Sequence, residues 1–153
     1  MLLMLKPEHF DRIGDGEYRF CVKPECQVVY FAAVEGATFT AGALRMRVGL
    51  KVKEDPVPLC YCFGFEEADV RAEIALTGRT TIPQRITAFI QQGMCACGER
   101  NPSGACCLGE VSKVVKRLMA EHQANSEPKL AQAHERPRAM TSQGERNNDA
   151  VIQ

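Results

Sequence analysis

The chain contains no tryptophan, 7% aromatic residues and no excess of either charge, with 19 Lys and Arg against 19 Asp and Glu in 153 residues. That balance leaves no electrostatic footprint for nucleic acid or an anionic membrane. No apolar run approaches the roughly 20 residues that a membrane helix requires. The opening Met1–Leu5 is too short for a signal-peptide core before it meets Lys6, Pro7 and Glu8. These absences describe a cytoplasmic protein with no membrane insertion and no nucleic-acid partner. There is also no phosphate-binding glycine loop, no nucleophile elbow and no internal repeat. No histidine lies among the clustered cysteines, so a thiol nucleophile would have no evident base. The chain therefore reads as a redox or metal-binding protein rather than an enzyme.

What the chain does have is sulfur. Six of its eight cysteines fall between Cys60 and Cys107, in Cys60-Tyr61-Cys62 at one end and Cys95-Ala96-Cys97 with Cys106-Cys107 at the other. A disulfide framework is the wrong reading for a cytoplasmic chain. Cys60 with Cys62, and Cys106 with Cys107, are also poor partners in ordinary disulfide geometry. Clustering in glycine- and proline-rich turns is not what buried cysteines acting as small hydrophobes would show. Four thiolates gathered at one point indicate a metal centre.

The fold class expected is α+β. Gly14-Asp15-Gly16 marks a turn, after which Glu17–Phe20 and Gln27–Phe31 read as two strands. Between them lie Cys21 and Cys26, around Pro24. A cysteine pair on a hairpin knuckle is half of a structural zinc site, and no cysteine precedes Cys21. Arg45–Lys53 alternates basic and apolar residues, predicting a half-buried strand with a solvated cationic face. Glu66–Thr77 reads as a helix with an acidic first turn and Gly78 as its stop. A second helix begins at Thr80-Thr81-Ile82-Pro83, capped by a threonine, with Ile82, Ile86, Phe89 and Ile90 on one face. Gly98–Gly104 reads as a loop. A third helix runs from Glu110 to about His122, with Cys107 just ahead of its first turn, where free N–H groups favour an anionic assembly. From Gln123 to Gln153 there is no aromatic residue and only three of Leu, Ile and Val, which predicts a disordered tail. The expected organisation is a β-rich hairpin and meander subdomain over 1–56, a helical subdomain around the cysteine cluster over 57–122, and the tail over 123–153.

Zinc and iron–sulfur clusters both take four thiolates. Structural zinc sites favour two Cys-x-x-Cys knuckles, and the chain has none. A Cys-x-Cys pair, a helical hairpin and further cysteines in a glycine-containing loop match a two-iron cluster better. The spacing does not decide between Cys95 and Cys97, or between Cys106 and Cys107.

The run Cys60-Tyr61-Cys62, with Asn101-Pro102-Ser103-Gly104-Ala105-Cys106-Cys107 downstream, resembles the N-terminal domain of CopZ-type copper chaperones. That domain is related to the bacterioferritin-associated ferredoxin type of [2Fe-2S] protein. The likeness extends to Tyr18-Arg19-Phe20-Cys21, to Cys26-Gln27-Val28-Val29-Tyr30-Phe31 and to Arg47-Val48-Gly49, covering roughly residues 17 to 120. It implies that Cys60, Cys62, Cys97 and Cys107 hold a [2Fe-2S] cluster, with Cys97 chosen because it stands four residues before Asn101. It also implies that Cys21 and Cys26 are two of four Zn2+ ligands. The family's other zinc pair lies in a knuckle near the N-terminus. Its lack here implies either a start misplaced upstream or a member that has lost the full site. The family's heavy-metal-associated domain, with its own Cys-x-x-Cys, has no counterpart in these residues.

The function expected is one-electron transfer or metal reduction in copper or mercury handling, with a redox partner or a copper- or mercury-handling protein on the other side. Cys95 and Cys106 are then spare thiols open to a soft ion. The competing expectation is a structural or interaction module stapled by zinc, without a redox role.

Overall fold

The computed structural model describes residues 1–133. Five strands and four α-helices follow one another: β1 Tyr18–Phe20, β2 Val28–Ala32, β3 Thr38–Thr40, β4 Pro58–Cys60, β5 Phe65–Glu66, α1 Glu67–Thr77, α2 Ile82–Gln91, α3 Cys97–Arg100 and α4 Leu108–Ala133. The class is α+β. Strands β1, β2 and β3 form an antiparallel meander with Phe20 opposite Tyr30 and Phe31 opposite Thr38. Strands β4 and β5 make a small antiparallel ribbon, and the chain passes from it directly into α1.

Burial divides into two apolar clusters. The first joins Val29, Tyr30 and Phe39 of the meander to Met4, Leu5, Ala43, Leu44 and Val48. Leu5 is fully buried and bridges to Leu44, so Met4 and Leu5 of the short apolar start belong to this core, whereas Leu2 and Leu3 are exposed. The second cluster contains Val70 and Ile74 of α1, Ile82 and Ile86 of α2, and Val111 and Leu118 of α4, together with Cys60, Cys97 and Cys107. The apolar residues buried on each helix share one face at helical spacing: Val70 with Ile74, Ile82 with Ile86, and Val111 with Leu118. Phe63 and Phe89 extend that core toward the surface with ring centroids 4.7 Å apart.

Each helix end has a local cause. The Asp69 carboxylate accepts from the Glu66 N–H at 2.9 Å at the start of α1, and the N–H of Gly78, at φ 72°, donates the closing bond to the Ile74 carbonyl. A threonine does serve the start of α2: the Thr80 hydroxyl oxygen accepts from the Ile82 N–H at 3.2 Å. Thr81 makes no side-chain cap bond, and the Glu73 carboxylate of α1 adds a second layer, accepting from the Thr81 N–H and the Thr80 hydroxyl, both at 2.7 Å. One acidic side chain thus closes the helical hairpin and places negative charge at the start of α2.

Three expectations are corrected. Arg45–Lys53 is not a strand: the exposed–buried alternation holds through Val48 and then breaks into a 3-10 turn at Gly49–Lys51. Among the described residues no strand pairs with it. The backbone is engaged by side chains instead, as the Gly49 N–H donates to the Tyr61 hydroxyl at 2.8 Å. A Cβ at Gly49 would stand 1.9 Å from the Pro58 carbonyl oxygen, so this close approach needs glycine. Gly98–Arg100, read as the start of a loop, belongs to a single helical turn, Cys97–Arg100. Helix α4 begins at Leu108 and continues past His122 to Ala133, and the rest of the expected disordered tail lies outside the described residues. No helix among the described residues is long and apolar enough to cross a membrane.

The helical layer is tied by one buried carboxylate. Glu67, 9% exposed, accepts from Arg117 of α4 at 2.6 Å and from Arg71 at 2.8 Å. Glu67→Ala leaves two half-exposed guanidiniums without their shared partner and is expected to cost about 1–3 kcal/mol. Urea unfolding should show a lower midpoint with unchanged slope; an unchanged midpoint would remove this network from the account of stability.

Candidate metal centre

Two segments of helical hairpin converge on one sulfur-rich spot. The β4–β5 turn carries Cys60 and Cys62, and the chain leaving α2 carries Cys95 and Cys97. Cys107 stands at the N-terminus of α4, where its carbonyl accepts the Val111 N–H at 3.0 Å. The sulfurs fall into two close groups. Cys60 and Cys107 are 3.2 Å apart, although 47 residues separate them. Cys62 and Cys97 are 3.6 Å apart across 35 residues, and Cys95 lies 3.4 Å from Cys97. The sulfurs of Cys62, Cys95 and Cys97 all lie within 4.8 Å of one another.

The doublets that spacing left open differ in orientation. Cys97 and Cys107 are buried, Cys95 is half-buried and Cys106 is exposed. Cys107 faces Cys60, whereas Cys106 lies on the outside of the turn.

Charge accounts for the proton inventory. The Cys107 thiol donates to the Cys60 sulfur, and this holds the Cys60 thiol well below its ordinary value. The same contact, with burial, pushes Cys107 up. Burial likewise raises Cys97 to about 12, opposed by the backbone N–H of Cys107. Thiols this close cannot all ionise unless a cation stands among them. Backbone donors are already aimed at the sulfurs: the Ala96 N–H reaches the Cys62 sulfur at 3.3 Å, and the Cys62 and Phe63 amides favour the Cys60 thiolate.

The loop ahead of Cys107 is set from within and from outside. Asn101, 9% exposed, donates to the Ala105 carbonyl at 2.7 Å, and its own amide oxygen accepts from the Ser103 N–H at 3.1 Å and hydroxyl at 3.0 Å. Gly104 takes φ 69°, which the tight turn requires. From the other core, the Tyr30 hydroxyl donates to the Pro102 carbonyl at 2.6 Å, and burial raises the Tyr30 hydroxyl to about 12, keeping it a donor. Arg100 reaches the Cys62 carbonyl at 3.2 Å and links the two cysteine-bearing turns. Sequence reading placed Asn101 and Tyr30 in motifs without a role at the centre, and gave Arg100 none. Nothing local marks a contact made across 72 residues.

Cys21 and Cys26 stand apart on the β1–β2 loop, both half-buried. The Lys23 N–H, then Cys26 and the Lys51 ammonium, hold the Cys21 thiol below its ordinary value. Lys51 also donates to the Lys23 carbonyl at 2.6 Å. Among the described residues no third cysteine, histidine or carboxylate joins this pair in a ligating group. The donor set fits half a zinc site.

Comparison with known proteins adds three likenesses. A family model described as the CopZ zinc-binding domain matches residues 2–45, the stretch holding Cys21 and Cys26. The copper chaperone CopZ of Archaeoglobus fulgidus is 36% identical over 92 residues, which cover 60% of this chain and 43% of that protein. The chain thus spans less than half the length of that curated relative. The X-ray structure of the A. fulgidus CopZ N-terminal domain superposes with a TM-score of 0.58 at 29% identity, covering 73% of this chain and 82% of that one.

Asn101→Ala should leave the Ser103 and Ala105 partners unpaired, at a cost of about 1–3 kcal/mol. Amide exchange should accelerate across Asn101–Cys107 and stay unchanged in α2. Equal protection in both forms would show that the loop is fixed without this side chain.

Proposed function

This chain contains a CopZ-type N-terminal domain, and from that premise we propose that it is an iron–sulfur protein serving a copper- or mercury-handling system. Cys60 and Cys107 would hold one iron of a [2Fe-2S] cluster, and Cys62 and Cys97 the other. The observation that carries this reading is the pairing of the sulfurs, 3.2 Å and 3.6 Å apart, from two ends of one helical hairpin. A single tetrahedral zinc, with bonds of about 2.3 Å, would need four sulfurs mutually about 3.8 Å apart. The mutually close group here has three members and includes neither Cys60 nor Cys107. An elongated two-metal centre suits two pairs better than one four-fold point.

Bound there, the cluster supplies one-electron exchange between its oxidised and reduced forms. The chain's own part is to supply thiolates, aim amide donors at them and limit water. Donors such as Ala96 N–H stabilise added negative charge on sulfur and so favour the reduced state. The half-buried Cys62 marks the side on which an electron partner could approach. Reduction of a copper or mercury ion, or electron delivery to a copper-handling protein in the cytoplasm, is the role this arrangement supports. Zinc belongs on the separate Cys21–Cys26 knuckle, completed by ligands from outside this pair.

A second reading has one observation of its own: the family match described as zinc-binding covers residues 2–45 and not the helical centre. On that reading metal is a structural staple throughout. Anaerobic purification separates the two. The full chain should be coloured, bleach with dithionite and carry about two irons and two acid-labile sulfides. Cys60→Ser or Cys107→Ser should lose most of that iron, whereas Cys106→Ser should keep it. A colourless protein holding zinc alone would overturn the redox reading.

A further inference from the structure

The paired-sulfur reading leaves one inward thiol without a task. Cys95 is half-buried, its sulfur lies 3.4 Å from that of Cys97, and Cys62, Cys95 and Cys97 form the three-membered group. A two-iron cluster claims two of these three. We propose that Cys62, Cys95 and Cys97 together form a three-thiolate site for one soft monovalent ion, of which Cu(I) is the type, occupied when no cluster is bound. The inference rests on the centre being metal-binding, and adds a second occupant of the same sulfurs.

Geometry and ligand chemistry favour that ion. With metal–sulfur bonds of about 2.3 Å, a planar three-sulfur site has its sulfurs about 4.0 Å apart. The Cys62–Cys97 and Cys95–Cys97 separations of 3.6 and 3.4 Å require only a slight opening to admit an ion. Soft thiolates select Cu(I), whereas structural zinc takes four protein ligands. Among the described residues no fourth cysteine, histidine or carboxylate joins this group.

The surroundings suit the net charge. Three thiolates around a monovalent ion leave two negative charges in excess. The Ala96 N–H faces the Cys62 sulfur, and the Arg100 guanidinium sits on the Cys62 carbonyl. Binding releases the thiol protons to solvent and involves no change of oxidation state. Because Cys62 and Cys97 are shared, Cu(I) and a cluster exclude one another. The chain would then report on copper by losing its cluster thiolates to it.

The test uses the full chain, prepared metal-free and without oxygen, and one equivalent of Cu(I) held by a competing chromogenic chelator. Alkylation followed by mass spectrometry then reads which cysteines are shielded. Cys62, Cys95 and Cys97 should be protected together, and Cys95→Ser should weaken Cu(I) binding at least tenfold while Cys106→Ser leaves it unchanged. Protection of Cys21 and Cys26 instead, or a Cys95 that stays reactive under one equivalent of Cu(I), overturns the proposal. Iron and sulfide in the wild-type chain are measured alongside. A chain that forms its cluster but leaves Cys95 unshielded refutes this inference alone. A chain that shields the three cysteines but never holds iron refutes the redox reading alone.

Discussion

Sulfur atoms from distant parts of the chain are held almost in contact, and the helical half is built around that constraint. Like-charged thiolates repel, so a protein that gathers them must fix the backbone before any cation compensates them. Here the fixing comes from a helical hairpin whose two ends meet. Ile82, Ile86, Val70, Ile74 and Val111 bury the interface between its helices and α4. Glu67 then binds Arg117 across the gap between α1 and α4. Cys60 and Cys107 lie within the same apolar cluster as these side chains, so centre and core are a single packed unit.

The N-terminal core reaches the centre through few but well-placed contacts. Tyr30 lies in the middle of the meander, and its hydroxyl ends on the loop that leads to Cys107. Tyr61, between two cysteines, accepts from the Gly49 N–H and donates to the Arg47 carbonyl. The absence of a side chain at Gly49 is what permits that approach to Pro58. These polar contacts give the loop a fixed reference outside the hairpin, which glycine- and proline-rich loops cannot provide for themselves.

Much of this was legible in the sequence because it is periodic. The face of α2 followed from 3.6-residue spacing, α1 from its acidic first turn and glycine stop, and the first two strands from their β-branched and aromatic content. The alternation in Arg45–Lys53 misled because period two reports burial and not pairing, and among the described residues no strand pairs with it to complete a ladder. The threonine at the start of α2 was legible, but its support by Glu73 of the preceding helix was not, because that contact depends on how the hairpin closes. At the centre, the convergence of Cys60–Cys62 with the later cysteines could be expected from the hairpin. The choice between neighbours within each doublet is a matter of side-chain direction, which spacing does not carry. The roles of Asn101, Tyr30 and Arg100 depend on tertiary placement alone.

The bond from Tyr30 to Pro102 also bears on the order of events during synthesis. Domains emerge from the ribosome N-terminal side first, so the meander can be complete while the ligand loop is still unmade. The loop then meets a finished anchor instead of searching for its shape alone. A nascent chain would therefore present its last metal-binding turn already oriented, shortening the interval in which loose thiols face the surrounding solution.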